Sequence, residues 1–170
     1  KNPGLILRAV KQMQAGESNR IKIIFVGSGE LLDSLKEQAK PMADRVSFAG
    51  FVNQSEITDY YLAADILVLS SRQAGETWGL VVNEALQAGC AVVMTEAVGC
   101  HREFEDWERV RVIKNDDPGA CAKALSDLSK FERSFNWCET QIERYSPQAA
   151  AEAIIQKIDD VNPKFPPSVQ

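Results

Sequence analysis

The sequence contains one histidine, His101, and its four cysteines, Cys90, Cys100, Cys121 and Cys138, form no C-x-x-C pair. A structural metal cage needs four ligands at short paired spacings, so no metal site is expected. Nor does a chain of this length need a disulfide framework to fold, and four reduced thiols in a cytoplasmic protein are expected. No apolar run approaches the roughly eighteen residues of a membrane span, and no signal peptide opens the chain. There is also no excess of positive charge. The 19 Lys and Arg are scattered among 24 Asp and Glu for a net charge of -5. Nucleic acid and anionic membrane surfaces call for clustered Lys and Arg, so neither is an expected partner. An anionic ligand must instead be held by local geometry. The first residue is Lys1 rather than methionine, and a piece of a longer protein is expected.

What is present is ordinary for a single globular domain, with 45% hydrophobic and 25% charged residues. The hydrophobic period alternates along the chain. Residues 3–15 carry helical spacing behind Pro3. IKIIFVG (21–27) is a strand, residues 30–43 a helix, and RVSFAGF (45–51) a second strand. Ser55 is an expected N-cap for a helix to Ala64. DILVLSS (65–71) reads as a strand buried on both faces. A helix over 79–88 follows, closed by Gly89, and then the strands AVVMT (91–95) and VRVIK (110–114). Asp117-Pro118 and Ser146-Pro147 each place a cap ahead of a proline and open helices. The polar stretch 128–144 is predicted helical, and the prolines after residue 162 stop the last helix. Strands separated by single helices require right-handed crossovers and a parallel sheet. The predicted fold class is α/β, a doubly wound parallel sheet of Rossmann-like type, which binds ligands at the carboxyl ends of its strands.

Two segments at such strand ends bear on chemistry. Gly27, Ser28 and Gly29 follow the first strand, but Leu32 stands where a dinucleotide fingerprint needs a third glycine. That argues against an NAD site and leaves a tight β–α turn or a phosphate contact. The second segment runs from Ser70 to Ala85. Glu76 lies in the loop after a strand, Gly79, Leu80 and Val81 open the next helix, and Glu84 lies a turn inside it. Free N–H groups at a helix start attract anions, and the helix dipole adds to this. Gly79 admits close approach to the backbone. A carboxylate accepts two hydrogen bonds from a vicinal diol. Two acids flanking such a start suit a ligand with sugar, diphosphate and ribose in a row. Both glutamates could equally be partners of the helix dipole.

The segment E-T-W-G-L-V-V-N-E, with seven residues between Glu76 and Glu84, resembles the E-x7-E motif of the retaining GT-B glycosyltransferases of the family 4 grouping. IIFVGSGE, RVSFAGFVNQSEITDYYLAADILVLSS, EALQAGCAVVMTEAVGC and YSPQAAAEAIIQKI resemble other segments of that family in order and spacing. The resemblance covers nearly the whole chain. It implies that residues 1–161 are the C-terminal, nucleotide-sugar-binding half of a GT-B fold, with a tail over 162–170 and an N-terminal acceptor domain absent. It further implies that Glu76 is catalytic and holds the donor sugar. Trp78, Gly79, Leu80 and Val81 would offer backbone groups to sugar and diphosphate, and Glu84 would bind the ribose. Val52 would meet the base, and Lys1 the diphosphate. Val52 could otherwise be core, and Lys1 a solvated terminus.

The implied reaction moves a sugar from a nucleotide diphosphate sugar to an acceptor with retention, without metal or other cofactor. Glycolipid or polysaccharide biosynthesis is the expected setting, with membrane contact only peripheral and through the absent domain. The sequence departs from the family pattern at Cys100, His101 and the residues to Trp107, and lacks a glycine around 108–111. His101 reads as a loop histidine rather than a base. Two alternatives stay open. One is a nucleotide-sugar epimerase of GT-B fold, and the other is a non-catalytic nucleotide-sugar-binding module.

Overall fold

The structure is a computed structural model that describes residues 1–72 and 77–161. Helices α1 (Leu5–Gln12) and α2 (Ala15–Ser18) precede strand β1 (Ile23–Val26). Helix α3 (Leu32–Ala39) leads to β2 (Val46–Gly50), and α4 (Ile57–Ala63) to β3 (Ile66–Leu69). Then come α5 (Leu80–Gln87), β4 (Ala91–Thr95), α6 (His101–Phe104), β5 (Val110–Ile113) and α7 (Pro118–Leu128). The described chain closes with α8 (Glu139–Ile142) and α9 (Pro147–Val161). All strand pairings among the described residues are parallel, and the order of strands and helices agrees with the sequence reading except for the short helices α2 and α6, which that reading lacked. The fold is α/β and doubly wound.

The alternation of side chains along β4 explains the layers. Val93 faces a cluster with Leu5, Leu7 and Val10 of α1 and Leu125 and Leu128 of α7. Val92 and Met94 face the opposite cluster with Leu86, Phe104 and Trp107. A strand covered by helices on both faces is apolar at every position, and β4 is buried throughout. The sequence placed that fully buried strand at 65–71, but in β3 only Leu69 is buried. The reason is position. The strands fall into two sheets, β1-β2 and β3-β4-β5, and β3 is an edge strand while β4 is central. Helix α1 spans the division, since its cluster holds Ile23 of β1 as well as Ile66 and Val68 of β3.

Two further local readings are corrected. Helix α4 is capped by Glu56 rather than Ser55, and without a side-chain cap bond. The stretch 128–144 is helical only at α8 and a short 3₁₀ turn. Its side chains act as anchors instead. The Arg133 guanidinium donates to the Ala88 carbonyl at 2.9 Å, and the Trp137 indole to the Gly89 carbonyl at 3.2 Å. The other caps are as read. Asp117 accepts from the Ala120 N–H at 2.8 Å, and Ser146 from the Ala149 N–H at 3.1 Å. All four cysteines are buried, and burial pushes the Cys121 and Cys138 thiols up to about 11.

Asp116 ties three segments together. It accepts from Arg72 at 2.9 Å, from the Asn2 amide at 3.1 Å and from Arg8. Those hydrogen bonds, Arg72 first, hold its carboxyl below the usual carboxylate range. A group depressed on folding contributes stability above its unfolded pKa of about 3.9, and loses it as pH falls through the lower folded value. Wild type is therefore expected to be more stable than Asp116→Asn at pH 6, with the gap closing below about pH 4. Paired urea melts across that range check this. A gap that stays constant with pH would refute it.

Candidate nucleotide-sugar site

The site lies at the carboxyl ends of β2 and β3, where the backbone turns from strand to helix. After β3, Ser70 is buried and its hydroxyl donates to the Asn2 carbonyl at 2.9 Å and the Lys1 carbonyl at 3.3 Å. That places Lys1 at the mouth of β3. Helix α5 then opens at Gly79, whose backbone is left-handed (φ 97°). A Cβ there would stand 2.7 Å from Val98 Cγ1. The sequence gives the glycine one role, room for a ligand. The structure adds a separate requirement, because the fold itself packs Val98 against that position.

Beneath the helix start runs the turn after β4. The Cys100 N–H donates to the Trp78 carbonyl at 2.9 Å, and a Cβ on Gly99 would lie 1.9 Å from the Thr77 carbonyl oxygen. The Trp78 carbonyl is thus engaged by the protein, while its indole donates to Asn83 at 3.1 Å and fixes the ring across the first turn. The amides of Leu80 and Val81 belong to the helix start, where no preceding helical carbonyl is available to them. The Leu80 side chain is exposed.

Glu84 sits beyond the first turn of α5, which contains no acidic residue. Its Oε2 accepts from the buried Tyr61 hydroxyl at 2.8 Å, and its Oε1 from the exposed Gln54 amide at 3.3 Å. Gln54 belongs to the loop that carries Val52, a half-buried residue just past β2. The structure therefore gathers Lys1 beside Ser70, Trp78 to Val81 at the helix start, and Glu84 against the loop of Val52. Glu76 lies outside the described residues. Sequence reasoning missed Tyr61, Gln54, Ser70 and Gly99. Only Tyr61 carries a signal, since a tyrosine four residues after Ile57 on an apolar helix face needs a partner for its hydroxyl.

The segment from Cys100 to Trp107 is a packing element. Phe104 and Trp107 are buried with ring centroids 4.9 Å apart, edge to face. His101 Nδ1 lies 2.8 Å from the Val98 carbonyl, so its ring is tied to its own turn.

Fold and strand-end site together define a Rossmann-like α/β domain. Residues 1–144 match the model of the family described as glycosyl transferases group 1, and the chain belongs to that family. It is 30% identical over 125 residues to the phosphatidyl-myo-inositol mannosyltransferase of Mycolicibacterium smegmatis, over 74% of this chain and 32% of that protein. It is 32% identical over 139 residues to the D-inositol 3-phosphate glycosyltransferase of Streptomyces coelicolor, over 76% and 30% respectively. Among solved structures, the Anabaena protein HepE in complex with UDP superposes with a TM-score of 0.77 at 19% identity, covering 94% of this chain and 45% of HepE. The catalytic domain of the Helicobacter pylori cholesterol-alpha-glucosyltransferase superposes with a TM-score of 0.65 at 18% identity, covering 92% and 91%. At such identities the likeness is one of fold. The chain spans about a third of the curated relatives it matches. Among the described residues no helix is long and apolar enough to cross a membrane.

Proposed function

We propose that residues 1–161 form the donor-binding half of a retaining glycosyltransferase of the family 4 type; residues 162–170, read from the sequence as a tail, lie outside the described residues. The observation that carries this reading is Glu84, anchored by Tyr61 one turn beyond an open helix start at a strand end. In this reading Glu84 accepts the ribose diol and Glu76 the hydroxyls of the transferred sugar. Amides at the start of α5 and the Lys1 ammonium carry the charge of the leaving diphosphate, and Val52 meets the base through its backbone. Charge that develops on the leaving group is best met by donors already in place. The donor is a nucleotide diphosphate sugar, and no metal takes part.

The acceptor domain is proposed to come from sequence outside residues 1–170. Its support is the greater length of the relatives and one feature of the fold: α9 exposes Ile154, Ile155, Ile158 and Val161. A second domain would cover such an apolar stripe.

The test uses the full-length protein with a panel of nucleotide sugars, product mass spectrometry and the anomeric configuration of the product. Transfer with inversion, or no transfer, would overturn the reading. Nucleotide diphosphate binding is expected to be the same with and without a chelator, as measured by calorimetry. A strict magnesium requirement would count against the metal-free mechanism.

A further inference from the structure

We infer that Tyr61 is a positioning residue for donor binding: its phenol fixes the Glu84 carboxylate for a vicinal diol, and Gln54 is the exchangeable partner that the diol displaces. This rests on the reading of Glu84 as the ribose-holding group.

The tyrosine is held from both ends. Its carbonyl accepts from Cys90 Sγ at 3.2 Å and from the Arg133 guanidinium at 3.4 Å. Its ring packs in a cluster with Ala85, Ala88 and Cys90, against which Ile57 also packs. The ring is therefore held in place, and the hydroxyl donates to Glu84 Oε2 at 2.8 Å, an ordinary length for an O–H···O hydrogen bond. Burial, and then the Glu84 carboxylate, push the phenol well above its ordinary pKa, so it remains a donor at every working pH.

A glutamate on a helix has three rotatable bonds, and an unanchored one would have to be ordered by the ligand at a cost in affinity. Anchoring one oxygen removes most of that freedom beforehand. The carboxylate has about four acceptor positions. Tyr61 takes one from the buried side. Gln54 takes another at 3.3 Å from an exposed loop, a long contact that is easily exchanged. The rest border the cleft of about 220 Å³ between α4 and α5, lined also by Thr58 and Gln87. The two partners of Glu84 thus differ in kind, one buried and packed, the other exposed and replaceable.

The test measures affinity of the full-length protein for UDP and GDP, and for the 2′-deoxy form of whichever binds tighter. Wild type is expected to prefer the ribose form. Tyr61→Phe keeps the packed ring and is expected to lose about three- to tenfold in affinity for the ribose form, with little change for the deoxy form. Gln54→Ala is expected to leave both affinities within about twofold. A merely structural tyrosine would weaken both nucleotides equally or lower only the melting temperature, and either result overturns the inference. Glu84→Gln separates the two levels. If Glu84→Gln leaves the ribose preference intact, the ribose reading itself fails. If Glu84→Gln abolishes the preference and Tyr61→Phe retains it, only the positioning role fails. A Gln54→Ala loss as large as that of Tyr61→Phe would overturn the assignment of Gln54 as the displaced partner.

Discussion

Replacing Glu84 by alanine is expected to weaken binding of a free nucleotide diphosphate about tenfold or more, whereas Glu76→Ala is expected to weaken mainly the sugar-bearing donor. The ribose lies beyond the diphosphate, and Glu84 one turn inside α5 is placed to reach past the helix start. Glu76 precedes the helix in sequence and, in the proposed reading, holds the transferred sugar. A hydrogen bond to a charged group contributes about 1.5–3 kcal/mol, so losing one diol contact already accounts for tenfold. The rival account makes Glu84 a partner of the helix dipole. That effect falls off within the first turn, and Glu84 lies past it.

Alanine at position 84 has a second consequence, because it strands the buried Tyr61 hydroxyl, whose acceptor is Glu84. An orphaned buried donor costs about 1–3 kcal/mol. Glu84→Gln keeps an acceptor for the phenol while removing the charge. It is therefore expected to lose affinity with a smaller loss of stability than the alanine variant. Titrations of nucleotide diphosphate and nucleotide sugar into each variant, with thermal melts alongside, make the comparison. Equal losses for both ligands in both glutamate variants would refute the division of labour.

Much of the fold was legible in the sequence, because hydrophobic period and punctuation are local. Asp117-Pro118 and Ser146-Pro147 announce their helices, and the short β-rich runs of β1, β2, β4 and β5 fall where they were read. The level of burial was not legible. DILVLSS and AVVMT look alike as apolar runs, yet one is an edge and the other the centre, and only the order of strands distinguishes them. The stretch 128–144 misled for a related reason. Arg133 and Trp137 are spent on the carbonyls that end α5, and those tertiary bonds outweigh a weak helical period. In the site, the E-x7-E pattern made Glu76 and Glu84 visible, but the partner of Glu84 comes from α4, more than twenty positions away. No spacing rule connects the two.

The second large effect is expected at Gly99, in the turn after β4. Gly99→Ala should destabilise the domain by about 1–3 kcal/mol, the usual cost of overpacking a tight site, and should weaken nucleotide binding in parallel. The alanine methyl would be built 1.9 Å from the Thr77 carbonyl oxygen and 2.6 Å from its carbonyl carbon. Backbone, unlike the end of a flexible side chain, cannot swing away, so residues 77–79 must move as a unit. Their position is what aims the helix-start amides. The Cys100 N–H to Trp78 carbonyl bond at 2.9 Å and the packing of Val98 beside Gly79 belong to the same contact and would be strained together. For a domain of this size about 2–4 °C in melting temperature corresponds to each kcal/mol, so the shift is easily measured. Gly16→Ala is the control. Nothing lies within 4 Å of a Cβ built there, and alanine favours the helical conformation Gly16 already adopts in α2. It should melt at or slightly above the wild-type temperature. If Gly99→Ala melts with Gly16→Ala and binds nucleotide normally, the turn after β4 does not support the helix start, and the rigidity of the site must come from elsewhere.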